Sequence, residues 1–341
     1  MLPFARAIDG KAELQVCCLK SIGGNPIEQR LREAGVPVIN LGARNLRDLR
    51  SFRRLLALLR EHRIQLVHAH LTYAAIWGGI AAGITGVRAV ATLHVAPTSG
   101  GWRDRLREWL MMRVLRWSGS RIIAVSEAVR QAFQSRYPAA SMEVIYNGVE
   151  VEAFERRNVS RSRELRREFG FAGDAPVVVT VSVLRAGKGI DVLLRALRNV
   201  DAQLLVVGEG PMRIAWSALG DGRVVWAGYR DDVPRLLAGA DLFVLPSLDD
   251  AFPTVLLEAM AAELPVVATR VGGIPEIVDS AGVGVLVPPG DVGALAAAIE
   301  ALLRDEERRD RTALAGRRRV EEEFSTSRWT ERLMALYRSA Q

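Results

Sequence analysis

In Leu245-Pro-Ser-Leu-Asp-Asp-Ala-Phe-Pro-Thr-Val-Leu-Leu-Glu-Ala-Met-Ala-Ala-Glu-Leu-Pro-Val-Val-Ala-Thr-Arg-Val-Gly-Gly-Ile-Pro-Glu276 an apolar run gives way, across a polar loop, to a helical pattern. The run Asp241-Leu-Phe-Val-Leu-Pro246 reads as a short apolar strand. Pro253 then reads as the opening of a helix, whose first turn tolerates a residue without a backbone donor. The loop between them therefore lies where a strand hands over to a helix N-terminus. Unpaired N–H groups and partial positive charge gather there, which favours an anion and above all a diphosphate. Asp250 and Glu258, one in the loop and one about a turn and a half into the helix, are spaced to face one ligand. Taken alone, the two acids also fit a helix cap and a solvated helix face.

The same alternation repeats along the chain. Ala175 to Leu184 is a continuous apolar strand, followed by the glycine loop Arg185-Ala-Gly-Lys-Gly-Ile-Asp191. That loop is not a P-loop, because the upstream glycine and the following Ser or Thr are missing. Leu204-Leu-Val-Val-Gly-Glu-Gly-Pro211 is a second strand, with Gly208 and Gly210 placed for close backbone approach to a ligand. Val224 to Gly228 and Asp241 to Pro246 add two more, with Tyr229-Arg-Asp-Asp-Val233 at the tip of the former. In the first half, Ile64 to His70 and Val87 to His94 read as strands, and His94 falls at a C-terminal tip, the edge where open α/β sheets bind ligands. His68 fits the strand interior as a structural residue, and His70 stays undecided. Ser126 ends the strand Ile122 to Ser126 as a helix N-cap, and Asn147-Gly148 marks a turn closing the first half.

The chain has 341 residues, more than one core usually fills, so two domains are expected. Its net charge of +7 is uneven: residues 1–155 carry 21 basic against 13 acidic side chains, residues 173–341 carry 19 against 24. The basic helical stretches Arg44 to Arg63 and Trp102 to Arg121 suit either packing on a sheet or contact with anionic headgroups. In the second, Trp102, Trp109 and Trp117 with Met111 and Met112 are the residues that would meet a membrane or a lipid-linked acceptor. No nucleic-acid motif accompanies the charge, so no nucleic-acid partner is expected. No apolar run approaches the roughly 20 residues of a membrane span, and no cleavable signal is evident, so a cytoplasmic location is expected. Adjacent Cys17 and Cys18 alternate faces of a strand and read as buried, unbridged thiols.

Asp250 and Glu258, with Phe252-Pro253, Glu258-Ala-Met-Ala261, Pro265-Val-Val-Ala-Thr269 and Gly272-Gly-Ile-Pro-Glu276, resemble the donor-site block of glycosyltransferase family 4, and the likeness runs from about His68 to the C-terminus. The resemblance implies an α/β, GT-B architecture, with two Rossmann-like doubly wound parallel-sheet domains facing a cleft. The expected boundaries are 1–155 for an acceptor domain, 156–325 for a nucleotide-sugar domain, and 326–341 for a helix crossing back to the first. It implies a retaining, metal-independent enzyme that moves a sugar from a nucleotide-diphosphate sugar to a lipid-linked or polysaccharide acceptor in cell-envelope glycan synthesis. Lys188 aligns with the family's diphosphate lysine, Glu258 with its ribose-binding acid, and Asp250 and His94 with residues reaching the transferred sugar. His94, Lys188 and Asp250 are thus the catalytic candidates. Arg185, Lys188, Gly208, Gly210, Tyr229, Asp250, Ala251, Phe252, Pro253, Thr254 and Glu258 form the donor-binding set, with Tyr229 near the base. No metal or other cofactor is expected.

Four positions depart from the family pattern: Val183 for an arginine, Asp250 for a glutamate, Ala251 for a glycine, and Glu263 for the glycine that follows the helix. Arg185 would have to reach the phosphates in place of the missing arginine, and Glu263 would cost roughly 1 kcal/mol if held left-handed. These departures keep a second reading open, a weak or inactive family member docking on membranes or partner enzymes. Met1 to Gly10 reads as the tail of a helix and Glu13 to Leu19 as the next strand, so the first strand and glycine-rich turn of the fold are missing and the native start is expected upstream of Met1.

Overall fold

A computed structural model describes every residue except Met1, Asp9, Lys11, residues 21–25, Thr98, Ala172, residues 279–281 and residues 340–341. Its strands are β1 (Val16–Cys18), β2 (Val38–Asn40), β3 (Leu66–His70), β4 (Arg88–Leu93), β5 (Arg121–Ala124), β6 (Glu143–Val144), β7 (Val177–Val181), β8 (Gln203–Val207), β9 (Val224–Gly228), β10 (Leu242–Leu245), β11 (Val266–Thr269) and β12 (Val285–Val287). The chain divides into two compact units, Met1–Tyr146 with Trp329–Gln341, and Asn147–Arg328. The first division falls at Tyr146, ahead of the position 155 expected from sequence. The residues after the Asn-Gly turn already bond within the second unit: Val149 bridges Ser325 in parallel.

The second unit holds one six-stranded parallel sheet in the order β12-β11-β10-β7-β8-β9. Its first strand is central, as the crossover rule for doubly wound sheets requires. β7 is Val-Val-Val-Thr-Val, and Val177, Val178 and Val179 are all fully buried because helices cover both faces. One face packs on the helix Ile190–Ala196 and on Leu295, Ile299 and Leu302 of the helix Val292–Arg304. Each such side chain contributes about 1.5–3 kcal/mol of transfer free energy, offset by chain entropy. Helices and strands alternate throughout, so every strand runs the same way and all C-terminal tips share one edge.

The first unit contains two parallel sheets among the described residues, the pair β1-β2 and the set β3-β4-β5-β6. Ser126 caps the helix Glu127–Arg136, its Oγ accepting the Val129 N–H at 3.2 Å. Cys17 and Cys18 are in β1 as free thiols, yet Cys17 is exposed and Cys18 only partly buried, contrary to the expected burial. Among the described residues β1 pairs with β2 alone. The last helix, Thr326–Ser339, joins this unit from Trp329 onward. Its Leu333 and Leu336 share a buried cluster with Phe4, Ile8, Val90, Ile123 and Ile145.

Candidate functional site

In the second unit the loop after β10 is clamped from two sides by glycines. A β-carbon on Gly189 would lie 1.9 Å from the Pro246 carbonyl oxygen, and one on Gly272 would lie 1.8 Å from that of Asp250. Both glycines have positive φ, +65° and +52°, which L side chains rarely adopt. Hydrogen bonds complete the clamp: Leu248 N donates to Gly187 O at 2.8 Å, and Gly273 N to Asp250 O at 3.2 Å. Thr269 Oγ1 donates to the Ser247 carbonyl from the neighbouring strand. The glycine motifs at 187–189 and 272–273 therefore have a local mechanical meaning: they let two flanking loops lie directly against the backbone that carries Asp250.

Held this way, Lys188 Nζ donates to Asp250 Oδ2 at 2.5 Å, and Ser247 Oγ donates to the same oxygen at 3.3 Å. The two charged side chains are only 15% and 12% exposed. A nearly desolvated pair of this kind is costly to break by removing one partner. Ser247 did not figure in the sequence reading, since a serine in a polar loop carries no signal of its own.

Pro253 takes the N-cap position, with φ −76° and ψ 106°, and the helix proper runs Thr254–Ala261. Pro253 therefore precedes the helix instead of opening it, as its lack of a donor allows equally well. Thr254 is exposed at the helix start, Ala251 is half-buried beside the Gly272 contact, and Phe252 is buried with its ring 5.8 Å from that of Phe324. Phe252 thus anchors the loop to the core. Glu258 is largely buried, its carboxyl has no hydrogen-bond partner among the described residues, and burial raises that carboxyl above the usual range. A carboxylate so placed gains most from hydroxyl donors brought by a ligand.

Glu263 does adopt a left-handed conformation, φ +55°. It follows the helix in a Schellman arrangement, Leu264 N donating to Ala259 O at 3.1 Å and Glu263 N to Met260 O at 3.0 Å. An ion pair from Arg156 at 3.3 Å offsets part of the strain.

The remaining expected donor residues cluster at the same sheet edge. Gly208 and Gly210 face backbone: added β-carbons would meet Ser182 O at 2.0 Å and Leu184 O at 2.4 Å. The close approach they permit is thus to the chain's own loop after β7. Val183 and Arg185 are both exposed in that loop, and the Arg185 side chain has no partner among the described residues. Tyr229 is 68% exposed. The loop it tops is fixed by Arg230, which reaches Asp232 and Glu168 at 2.8 Å each, and by Arg235 on the same two acids.

In the first unit three imidazoles stand together at the tips of β3 and β4. His68 Nδ1 is 2.5 Å from Tyr337 Oη and its Nε2 is 2.6 Å from Thr92 Oγ1, so both nitrogens are used, as expected of a structural histidine. His70 Nδ1 is 2.8 Å from His94 Nε2. The His68 and His70 rings lie 4.3 Å apart at 31°, and those of His70 and His94 5.1 Å apart at 34°. Burial lowers all three, His70 to about 4. Tyr337 and Thr92 were not singled out from sequence. A partner 269 positions away leaves no local pattern.

Residues 4–153 match the family model described as Glycosyltransferase Family 4, and residues 161–319 the one described as Glycosyl transferases group 1. The alpha-maltose-1-phosphate synthase of Mycobacterium tuberculosis is 30% identical, over 80% of this chain and 78% of its own length. The chain belongs to glycosyltransferase family 4. Another relative of this family 4 glycosyltransferase is the GDP-mannose-dependent alpha-(1-6)-phosphatidylinositol monomannoside mannosyltransferase of Mycolicibacterium smegmatis, 34% identical over 77% of the chain and 74% of that protein. The N-acetyl-alpha-D-glucosaminyl L-malate synthase of Bacillus anthracis is 30% identical over 63% of the chain, which spans 58% of that protein's length. Among solved structures, Anabaena HepE in complex with UDP-glucose aligns with a TM-score of 0.85 at 24% identity, over 99% of this chain and 94% of that one. These likenesses bear out the GT-B fold of two parallel-sheet domains.

Proposed function

We propose that this family 4 glycosyltransferase takes a sugar from a nucleotide-diphosphate sugar and passes it, with retained anomeric configuration, to a lipid-linked or polysaccharide acceptor of the cell envelope. The observation that carries this reading is the Lys188 ammonium, held by a glycine-clamped loop at the C-terminal edge of a parallel sheet and already engaged by a carboxylate oxygen. A site that holds one anionic oxygen against an ammonium suits the oxygens of a diphosphate. The named substrates of the relatives, GDP-mannose among them, fit the same chemistry.

In this reading Lys188 and peptide amides compensate the leaving diphosphate, with no metal ion required. Glu258 accepts the ribose hydroxyls. Asp250, released from Lys188 as the phosphates arrive, turns to the sugar, and His94 is the further residue assigned to it. The bond between the anomeric carbon and the phosphate oxygen breaks as the acceptor hydroxyl attacks the same face. The hydroxyl proton passes to the departing phosphate oxygen, so no covalent enzyme intermediate is needed.

The reading places the protein in the cytoplasm against an anionic membrane surface. Among the described residues no helix is long and apolar enough to cross a membrane. The helix Trp102–Trp117 exposes Trp102, Trp109 and Trp117 by 70%, 51% and 61%, with Arg103 and Arg113 lying over two of the rings. Met111 and Met112, expected on that face, are buried at 2% and 6% and belong to the core. This surface suits an interfacial docking face even if transfer is slow. The test is a screen of nucleotide-sugar donors with a lipid-linked acceptor on anionic vesicles, scored by nucleoside diphosphate release and the anomeric configuration of the product. Release with retention is expected. Vesicle binding without turnover of any donor would favour the non-catalytic reading.

A further inference from the structure

The first residues of β4 and β5 border a cavity of about 550 Å³ in the first unit, at the sheet edge opposite the histidines. Arg88 opens β4 and His94 follows its last residue, so six steps of extended chain, roughly 20 Å, separate the two edges. Gly83, Arg88, Trp117, Ser118, Arg121 and Ser339 are among the residues lining the cavity. Trp117 supplies an aromatic plane. Its six-membered ring rests on Gly83, where a β-carbon would lie 2.4 Å from Cζ3. Glycine inside a helix is less stable than alanine, so this position favours the seat for the indole over helix propensity. The residue stays 61% exposed, and among the described residues no guanidinium covers its ring, unlike those of Trp102 and Trp109. Arg121 is engaged by Glu143 at 2.8 Å and by the Ser339 carbonyl at 3.2 Å. Arg88 reaches only the Tyr337 carbonyl, at 3.4 Å, which leaves most of its five N–H groups without a partner among the described residues. Acceptors come from a helix end. The helix Trp102–Trp117 is closed by its own turn, Ser118 N donating to Val114 O and Ser120 N to Leu115 O, both at 2.9 Å. Among the described residues no such bond closes the helix Thr72–Thr85: the chain turns away at Gly86, φ +73°, and its end carbonyls stay open.

We propose that this cavity is a second, non-catalytic sugar site, which holds a neutral pyranose unit of a glycan acceptor away from its reacting end. A pyranose has a face of C–H groups for the indole and a rim of hydroxyls that both donate and accept. Arg88 and the open helix carbonyls answer both kinds. Three helices end at this edge, Thr72–Thr85, Trp102–Trp117 and Thr326–Ser339, and their ends carry partial negative charge. The two arginines offset that charge, so a free anion gains less there than hydroxyls do. The volume is that of an ordinary small-ligand pocket. The length of β4 between the cavity and the histidine edge makes the bound unit a distal one, so the site serves a chain of sugars and not a single one. That role rests on the transferase reading above, whereas the binding does not.

Calorimetry of the full chain with maltohexaose, cellohexaose and mannohexaose tests the site, with Trp117→Ala, Trp117→Phe and Arg88→Ala alongside and thermal melts to confirm that each variant folds. At least one hexaose should bind the wild type. Arg88→Ala should weaken that binding about tenfold, the lower end for a hydrogen bond to a charged group, and Trp117→Ala about fivefold. The phenylalanine variant keeps an aromatic plane and should recover most of the loss. No binding by any hexaose, or binding that neither alanine variant weakens, would overturn the site. Displacement of the hexaose by inorganic phosphate or by uridine would overturn its assignment to neutral sugars. The role is read in transfer. With Arg88→Ala, KM for the hexaose as acceptor should rise by the same factor as its dissociation constant, while transfer to a methyl glycoside, too short to span both edges, changes less than twofold. Equal losses with the two acceptors would overturn the role. A wild type that turns over no donor defeats the transferase reading alone, and the calorimetry still decides the site.

Discussion

The loop around Lys188 and the histidine stack present two kinds of polar site. The first is charged, with an ammonium and a carboxylate 2.5 Å apart, and its parts come from short glycine-punctuated segments each next to its own strand. The second is neutral, with His68 bonded to Thr92 and Tyr337, His70 bonded to His94, and the His68 and His70 rings stacked. Charge suits the end of a ligand that is itself charged. Neutral donor and acceptor pairs suit hydroxyls. The two also differ in what holds them: backbone contact through glycine in one case, ring stacking in the other.

The largest expected effect sharpens this contrast. Lys188→Ala should lower nucleoside diphosphate release by about a hundredfold or more, because each charge-assisted hydrogen bond is worth about 1.5–3 kcal/mol and Asp250 is left unpaired beside the phosphates. Steady-state kinetics with a competent donor would measure it, and a drop below tenfold would break the charged half of the comparison.

Gly272→Ala should come next. A β-carbon 1.8 Å from the Asp250 carbonyl at φ +52° cannot be accommodated without moving the loop, at a cost of about 2 kcal/mol or more in a thermal melt. Asp250→Asn removes the internal competitor for the ammonium. It should tighten UDP or GDP binding severalfold, about 1 kcal/mol of like-charge relief, while slowing transfer. Looser binding would show that Asp250 supports the site instead of guarding it.

Glu258 offers a pH test. Burial raises its folded pKa above the ordinary carboxylate value, so the folded protein holds this proton more tightly than the unfolded chain does. Between those two values stability falls as pH rises, a cost already complete above the folded pKa. The ionised carboxylate is the better acceptor for ribose hydroxyls, so donor affinity should weaken as pH drops through the raised value. Glu258→Gln should bind more weakly at pH 7 and lose that dependence. The smallest effect is Glu263→Gly, a gain of at most about 1 kcal/mol from relief of the left-handed residue, reduced by loss of the Arg156 ion pair.

Much of the charged site was legible in sequence because its parts are local. Strand-to-loop transitions, glycine spacing and the Asp250 to Glu258 interval are all contained in short runs, and the left-handed Glu263 followed from its place after a helix. The packing of Phe252 on Phe324 was not legible, because an aromatic beside a loop looks the same whether it faces solvent or the core. Met111 and Met112 were placed on the wrong face of a helix whose arginines and tryptophans surround it on most sides. The histidine stack was half legible: His94 stood out at a strand tip, whereas the roles of His70, Thr92 and Tyr337 arise only from the register of β3 on β4 and the return of the last helix.

The central claim is that the second unit grips a diphosphate at Lys188. Isothermal calorimetry of the unmodified protein with UDP and with GDP at low and moderate salt tests it most directly. Saturable one-to-one heat with at least one of them, weakening as salt is raised, is expected. No heat with either would contradict the account.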